Sequence, residues 1–329
     1  MLGAPYERHT IELDSDDEGP VVATLVRRRA GTPTRRAVLY VHGFNDYFFQ
    51  THLADFYVAR GWDFYALDLR KCGRSWLPHQ TPNFLRHPLE YAPELDEAAR
   101  LVRDVDGHDT LLVNGHSTGG LLVALWAHER RAAGLVDALF LNSPFFDFRA
   151  PWLVRRPVAA LLTNGLGRAS PYRVVPLGVS LAYGQSLHAD HHGEWSFDLA
   201  WKPVPGFPIR AGWLHAIRHG HRLLRAGLSI PVPILVARSA ATCRGRRWTD
   251  AAMRADAVLD VAHMARWAPA LGRHVTIVTI EGGLHDLTLS PAPVRQELFS
   301  EVDRWLGAYV AGPGGTRPTG PAGAPAGAG

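Results

Sequence analysis

The sequence predicts an α/β fold in which helices cover both faces of a mostly parallel, eight-stranded sheet and a cap is inserted into the chain. Short apolar runs alternate with helical patterns along most of the 329 residues, as in sheets covered by helices. Some runs, such as Ala37–Val41, are apolar throughout, which is typical of parallel strands buried on both faces. One interval of roughly ninety residues fits no strand–helix unit and is too long for a simple connection.

Eight strands and five helices are predicted for the core. The strands are Thr10–Leu13, Val21–Arg27, Ala37–Val41, Asp63–Leu67, Thr110–Asn114, Ala138–Asn142, Pro233–Ala237 and His274–Ile280. The helices are Thr51–Arg60, Pro93–Val105, Thr118–Ala133, Val261–Leu271 and Pro293–Tyr309. The irregular interval contains one amphipathic helix, at about Pro208–Ala226.

The chain therefore divides into a core in two parts, a cap and a tail. Residues 1–143 and 231–310 are predicted to form the core, and residues 144–230 the cap inserted after the sixth strand. Residues 311–329 hold only Gly, Pro, Ala and Thr with one Arg. Such a composition has nothing to bury, so this tail is expected to be disordered.

Composition excludes several classes of protein. Hydrophobic residues make up 47% of the chain and charged residues 20%, as in an ordinary globular protein. The basic residues are scattered and the net charge is only +4, so no nucleic-acid partner is expected. Two cysteines give no disulfide framework. No secretory signal and no apolar run of membrane-spanning length is recognisable, so we expect a soluble, cytoplasmic protein.

A Gly-x-Ser-x-Gly motif, Gly115-His116-Ser117-Thr118-Gly119, directly follows the fifth predicted strand and precedes a helical pattern. This context is that of a nucleophile elbow, a sharp strand-to-helix turn that presents a serine hydroxyl at a helix N-terminus. The turn is so tight that side chains at the two glycine positions would collide with neighbouring backbone. Ser117 is therefore the predicted nucleophile; the alternative is a serine that only caps the helix.

A second motif, His42-Gly43-Phe44, ends the third predicted strand. A serine that attacks a carbonyl group needs two N–H donors for the oxyanion, and the loss of one typically costs about 3 kcal/mol. We expect the N–H groups of Phe44 and of Thr118, the residue after the nucleophile, to be these donors. His42 is expected to brace the loop, and the alternative for the whole segment is an ordinary glycine turn.

The general base is predicted on the loop after the last strand, Glu281–Asp286, where this architecture places a histidine late in the chain. That residue is His285.

The acid is expected on the loop after the strand Pro233–Ala237, but no Asp or Glu follows that strand directly. Asp256 is favoured because it lies just before the helix Val261–Leu271. Asp260 is better explained as the N-cap of that helix and Asp250 as the cap of a short turn. Asp147, just after the sixth strand, is a remote alternative.

Together these segments resemble the monoacylglycerol-lipase-like (lysophospholipase, serine aminopeptidase S33) branch of the α/β hydrolases. The resemblance is carried by His42-Gly43-Phe44, Gly115–Gly120, Asp256–Asp260, Gly283–Asp286 and Leu67–Ser75, the last of which resembles the family's D-x-R-x-x-G-x-S loop. It implies the α/β-hydrolase fold and favours the first aspartate of the Asp-x-Val-x-Asp run, Asp256, as the catalytic acid. Two features depart from the family: about eighteen residues separate the seventh strand from Asp256, and the cap does not match those of known lipases.

The predicted chemistry is that of a serine hydrolase without cofactor or metal. His285 removes the proton of Ser117, Asp256 orients His285, and water resolves the acyl-enzyme. The expected substrates are small carboxylic esters such as monoacylglycerols, lysophospholipids or short acyl esters. The alternatives are a peptidase or amidase with the same residues, and a non-catalytic protein that kept the fold.

Substrate-binding residues are predicted beside the nucleophile and the oxyanion loop. They are His116, Tyr47 and Phe48. The basic, aromatic cap helix also suggests transient contact with a membrane surface.

Overall fold

The computed structural model describes residues 2–149, 165–178, 180–245 and 247–310. One eight-stranded sheet lies at its centre, in the order β1-β2-β4-β3-β5-β6-β7-β8. The strands are β1 (Glu7–Asp16), β2 (Gly19–Arg28), β3 (Arg36–Val41), β4 (Asp63–Asp68), β5 (Thr110–His116), β6 (Ala138–Asn142), β7 (Ile234–Ser239) and β8 (Val275–Ile280). Only β2 runs antiparallel to its neighbours β1 and β4, and the pairs from β4 to β8 are all parallel. The predicted fold class is confirmed.

Helices cover both faces of the sheet. They are α1 (Thr51–Val58), α2 (Ala92–Arg100), α3 (Thr118–Glu129), α4 (Leu181–Leu187), α5 (Ala211–Arg225), α6 (Val261–Trp267) and α7 (Ala292–Tyr309). Alternate residues of β3 belong to two different apolar clusters: Leu39 packs with residues of α2 and α3, and Tyr40 with residues of α1 and α7. This is why the strand is apolar at every position. The predicted helix Pro93–Val105 is α2 followed by one π-helical turn, Leu101–Val105.

The segment between β6 and β7 holds α4 and α5. Helix α5 lies closely against α3, since a Cβ at Gly220 would approach the side chains of Leu121 and Leu125 to 3.2 Å. Part of the predicted cap, residues 150–164, and the predicted tail, residues 311–329, lie outside the described residues. Among the residues that are described, no helix combines the length and the apolar character needed to cross a bilayer.

Candidate active site

A sharp turn between β5 and α3 presents Ser117. Its backbone has φ 53° and ψ −118°, a conformation that is costly for a residue with a side chain and that clusters at functional sites. The motif glycines make the turn possible: a Cβ at Gly119 would lie 2.2 Å from the carbonyl oxygen of His42, and one at Gly115 would lie 2.8 Å from the Cα of Gly120. The sequence pattern thus follows from the close approach of backbone segments.

Three distant parts of the chain bring a hydroxyl, an imidazole and a carboxylate into one line. Nε2 of His285 lies 2.9 Å from Oγ of Ser117, and Nδ1 of His285 lies 2.8 Å from Oδ2 of Asp256. The other oxygen of Asp256 accepts hydrogen bonds from the N–H groups of Val258 and Leu259, at 2.8 and 2.7 Å. These bonds fix a fully buried carboxylate. With Nδ1–H donating to Asp256, Nε2 is free to accept the serine proton.

The long gap between β7 and Asp256 is closed by backbone pairing. Asp256 forms a parallel bridge with Thr242, donating its N–H to the carbonyl of Ala241 at 2.9 Å while its own carbonyl accepts the N–H of Cys243 at 2.8 Å. The chain between the two strands of this bridge is therefore an excursion that returns to the end of β7. In space, Asp256 lies only a few residues beyond that strand.

The other aspartates considered have different partners. Asp260 caps α6, accepting the N–H of Ala262 at 3.1 Å. Asp250 begins a 3₁₀ turn whose N-cap is Thr249. Asp147 forms an ion pair with Arg225 at 2.6 Å.

The loop after β3 lies against Ser117. A Cβ at Gly43 would be only 3.0 Å from Cβ of Ser117, and Phe44 and Thr118 both line the cavity at Ser117. Among the described residues, neither Phe44 nor Thr118 uses its backbone N–H in a hydrogen bond outside regular structure. His42 braces the loop as expected: Nδ1 lies 2.7 Å from the carbonyl of Gly43, and Nε2 accepts the N–H of Leu69 at 3.0 Å.

Next to Ser117 in the sequence, His116 lies in a buried group of charged side chains. Its Nδ1 is 3.5 Å from a carboxylate oxygen of Asp46 and 4.0 Å from one of Asp286. Burial disfavours the charged imidazole, but the two carboxylates outweigh burial and raise the pKa of His116. The ring also packs against that of His285, with centroids 5.1 Å apart. The structure therefore places His116 at the wall of the cavity, beside the predicted base.

Lys202, between α4 and α5, completes this group. Its ammonium donates to Asp46 at 2.7 Å and is itself buried. Burial alone would raise the pKa of Asp46, but Lys202 and His116 hold it well below its usual value. The sequence analysis missed this ion pair.

The group Asp46, His116 and Asp286 has the spacing of a metal site. However, Lys202 already supplies the positive charge beside Asp46. Oδ1 of Asp286 accepts hydrogen bonds from Asn142 at 2.7 Å and from the hydroxyl of Thr288 at 2.7 Å. Oδ2 of Asp46 and Nδ1 of His116 have no hydrogen-bond partner of their own, but the charges of Lys202 and of a readily protonated His116 balance the carboxylates, so the group fits an ion-pair network.

Tyr47 and Phe48 do not line the cavity with Ser117, so the expectation that they bind substrate is wrong. Phe48 is fully buried and packs against Tyr40 and Phe64, with ring centroids 6.1 and 5.1 Å apart. Tyr47 packs on Trp201, and its hydroxyl accepts the N–H of Asp198 at 2.7 Å. Both side chains are buried, so they stabilise the loop after β3 instead.

The D-x-R-x-x-G-x-S segment also stabilises the loop after β3. Asp68 accepts the N–H of Phe48 at 2.8 Å and pairs with Arg74 at 2.7 Å. Arg70 forms a buried ion pair with Glu94. The motif is thus a brace for the loop after β3.

A cavity of about 1170 Å³ opens at Ser117 and His285. Aromatic and aliphatic side chains form much of its wall: Phe145, Phe148, Ile209, Trp213, Leu214, Val258 and Trp267. Trp213 packs on Phe44 with ring centroids 4.7 Å apart, so α5 begins beside the loop after β3. An apolar chamber next to a serine suits an acyl chain.

The sheet order, the strained serine after β5 and the histidine after β8 define the class: this is an α/β hydrolase. The chain belongs to the family described as serine aminopeptidase, S33, since residues 32–241 match the model of that family. The suspected family is confirmed.

Solved structures support the fold. A soluble variant of the monoglyceride lipase from Saccharomyces cerevisiae, in complex with a substrate analog, has 15% identity and a TM-score of 0.66, covering 90% of this chain and 94% of the lipase. The monoacylglycerol lipase of Paleococcus ferrophilus has 20% identity and a TM-score of 0.61, with coverages of 86% and 98%. A thermostable carboxyl esterase from Bacillus coagulans has 13% identity and a TM-score of 0.63, with coverages of 92% and 99%. None of the curated proteins matches the sequence.

Proposed function

We propose that the protein hydrolyses carboxylic esters through an acyl-enzyme on Ser117. The observation that carries the proposal is the hydrogen-bonded line from Ser117 through His285 to Asp256, with distances of 2.9 and 2.8 Å. Groups within hydrogen-bond reach in this order are what general-base activation of a serine requires.

In the acylation step, Nε2 of His285 takes the proton of Ser117 as Oγ attacks the ester carbonyl. The N–H groups of Phe44 and Thr118 stabilise the oxyanion, and His285 then protonates the leaving alcohol. In deacylation, water takes the place of the hydroxyl, and its proton passes to His285 and back to Ser117. The carboxylate of Asp256 holds the imidazole in place and stabilises its charged form.

An ester is favoured over an amide because the cavity wall is largely apolar and because the solved structures named above are lipases and an esterase. The family description, serine aminopeptidase, supplies the competing candidate. It predicts faster cleavage of an aminoacyl arylamide than of an aryl ester.

In this proposal residues 144–230 act as a cap that covers the acyl chain and sets its length. The described part of the cap carries four large exposed apolar side chains, those of Val174, Leu177, Leu181 and Leu199. They support transient contact with a membrane surface, from which a lipid ester would be drawn. Co-sedimentation with lipid vesicles tests this contact. A protein that does not sediment with the vesicles would exclude it.

The experiment for the proposed activity compares wild type with Ser117→Ala on p-nitrophenyl esters of increasing chain length and on aminoacyl p-nitroanilides. We expect ester hydrolysis by wild type and a loss of about 10⁴-fold or more in kcat for the variant. Ser300→Ala, an exposed serine of α7, is the matched control and should retain full activity. Faster anilide cleavage would replace the esterase with a peptidase, and equal activity of Ser117→Ala would reject the proposal.

A further inference from the structure

Six arginines line the cavity. We call them the arginine rim: Arg149, Arg218, Arg222, Arg225, Arg244 and Arg266. The described lining contains two carboxylates, Asp46 and Asp147, and Asp46 is already paired with Lys202. Asp147 pairs with Arg225, and Asp260, outside the lining, lies 3.6 Å from Arg244, so two carboxylates serve six guanidinium groups.

The arginines of α5 form one stripe. Arg218, Arg222 and Arg225 are four and three residues apart, so their side chains share a helix face. Asp147 pairs with Arg225 at 2.6 Å. Burial, and then the charges of Arg222 and Arg225, lower the pKa of Arg218. The stripe is thus a concentration of like charges in a half-enclosed space.

No carboxylate of the described chain comes within ion-pair distance, 4.0 Å, of Arg218 or Arg222. The residues outside the described ranges, which are 1, 150–164, 179, 246 and 311–329, include no Asp or Glu. Within the described ranges these two guanidinium groups therefore have no ion-pair partner. A cleft lined by one sign of charge attracts and concentrates ligands of the opposite sign.

Helix geometry gives the axial distance of the stripe from Trp213. Trp213 lies against Phe44 of the oxyanion loop, and Arg218 and Arg225 follow it on the same helix. At a rise of 1.5 Å per residue these arginines lie about 7 to 18 Å further along the axis. An anion bound there would be separated from the ester by several bonds.

We propose that the arginine rim binds an anionic group, a phosphate or a carboxylate, on an ester whose carbonyl lies at Ser117. This rests on the proposed function and narrows its substrates to anionic esters. The guanidinium fork matches the geometry of both oxyanions, which accept two parallel hydrogen bonds from it. The anion would be on the alcohol side of the ester, as in a phosphorylated glycerol ester, or at the far end of the acyl chain.

Two matched pairs of substrates test the proposal and distinguish these sides. The first pair is 1-lauroylglycerol 3-phosphate and 1-lauroylglycerol, and the second is the p-nitrophenyl half-ester of sebacic acid and p-nitrophenyl decanoate. We expect kcat/KM for the anionic member to exceed that of the neutral member at least about tenfold in one pair or both, mainly through KM. The pair that shows the ratio identifies the side that carries the anion.

Variants show whether the rim causes the preference. In Arg218→Gln/Arg222→Gln the ratio of anionic to neutral kcat/KM should fall close to one, and Arg218→Lys/Arg222→Lys should keep an intermediate ratio. Arg304→Gln, an exposed arginine of α7, is the matched control and should keep the wild-type ratio. A ratio near one in both pairs for wild type, or an unchanged ratio in the glutamine variant, would overturn the inference.

A binding measurement separates this inference from the proposed activity. Calorimetry on Ser117→Ala, which needs no turnover, should show octyl phosphate binding at least tenfold more tightly than octanol, and the glutamine changes at the rim should remove the difference. Tight phosphate binding without ester hydrolysis by wild type would reject the activity and keep the anion site. Ester hydrolysis by wild type together with equal binding of octyl phosphate and octanol would reject the anion site and keep the proposed activity.

Discussion

The two ends of the cavity differ in how far their charged side chains are paired. At the buried end, formed by Asp46, His116, Lys202, Asp256 and His285, every carboxylate has a cationic or hydrogen-bonding partner. At the arginine rim, Arg218 and Arg222 have no carboxylate within ion-pair distance among the described residues. The buried end is therefore balanced in charge by groups of the protein itself, whereas Arg218 and Arg222 of the rim are not.

Removing the carboxylate that orients His285 should have the largest effect at the buried end. Asp256→Asn keeps the size of the side chain but no longer holds the catalytic tautomer, so we expect kcat for ester hydrolysis to fall about 10³- to 10⁴-fold. Asp260→Asn is the control, because Asn is an equally good helix cap, and its kcat should stay near that of wild type. Unchanged kcat in Asp256→Asn would move the acid to Asp147, Asp250 or Asp260.

Breaking the Lys202–Asp46 pair should cost stability. Lys202→Met leaves a buried carboxylate without its cation, and such losses typically amount to about 3–5 kcal/mol. Urea unfolding should show this decrease, and adding Asp46→Asn should restore most of it because no charge then remains unpaired. A Lys202→Met protein as stable as wild type would mean that the free energy of unfolding does not depend on this charge pair.

His221, on α5 between the two ends, should make stability depend on pH. It is buried, its Nε2 lies 2.8 Å from the carbonyl of Phe145, and burial lowers its pKa to about 4. Because the unfolded state binds the proton more readily, this residue contributes stability fully above pH 6.5 and loses it as the pH falls towards 4. Between pH 7 and pH 4.5 wild type should lose about 2 kcal/mol more than His221→Gln.

The matched control for this measurement is His9→Gln, which changes an exposed histidine of β1. Its loss of stability over the same pH range should equal that of wild type. Parallel curves for wild type and His221→Gln would contradict the assigned pKa shift.

Replacing a rim arginine should have the smallest effect on stability. Unlike the changes above, it should not destabilise the protein. Arg222→Gln relieves repulsion with Arg218 and Arg225, and like-charge pairs at these spacings cost up to about 0.5 kcal/mol each. The melting temperature should therefore stay constant or rise slightly. Arg130→Gln, which breaks the ion pair with Asp96, should lower it; a clear decrease for Arg222→Gln would show that the rim is neutralised within the protein.

Local patterns of sequence predicted much of the fold and of the candidate site. The apolar strands, the glycines around Ser117 and the position of His285 all depend on local backbone geometry, which a sequence expresses directly. The α/β-hydrolase fold and the family are confirmed, whereas the site roles, the bounds of the cap, the cytoplasmic location and the membrane contact remain predictions.

Contacts between residues far apart in the chain could not be predicted from the sequence. The bridge of Thr242 with Asp256 depends on tertiary packing, so the spacing alone left four aspartates open. Tyr47 and Phe48 were misassigned because closeness in sequence does not give the direction of a side chain. One signal could have identified the Lys202 ion pair: the chain has only two lysines among 35 basic residues, and both Lys71 and Lys202 are buried and paired.

The most direct test of the account is covalent labelling by a fluorophosphonate, which reacts only with an activated serine. We expect one label per chain, located on Ser117 by peptide mass spectrometry, with labelling abolished in Ser117→Ala and strongly slowed in Asp256→Asn. A protein that hydrolyses esters but carries the label elsewhere, or carries none, would contradict the claim that Ser117 is the nucleophile.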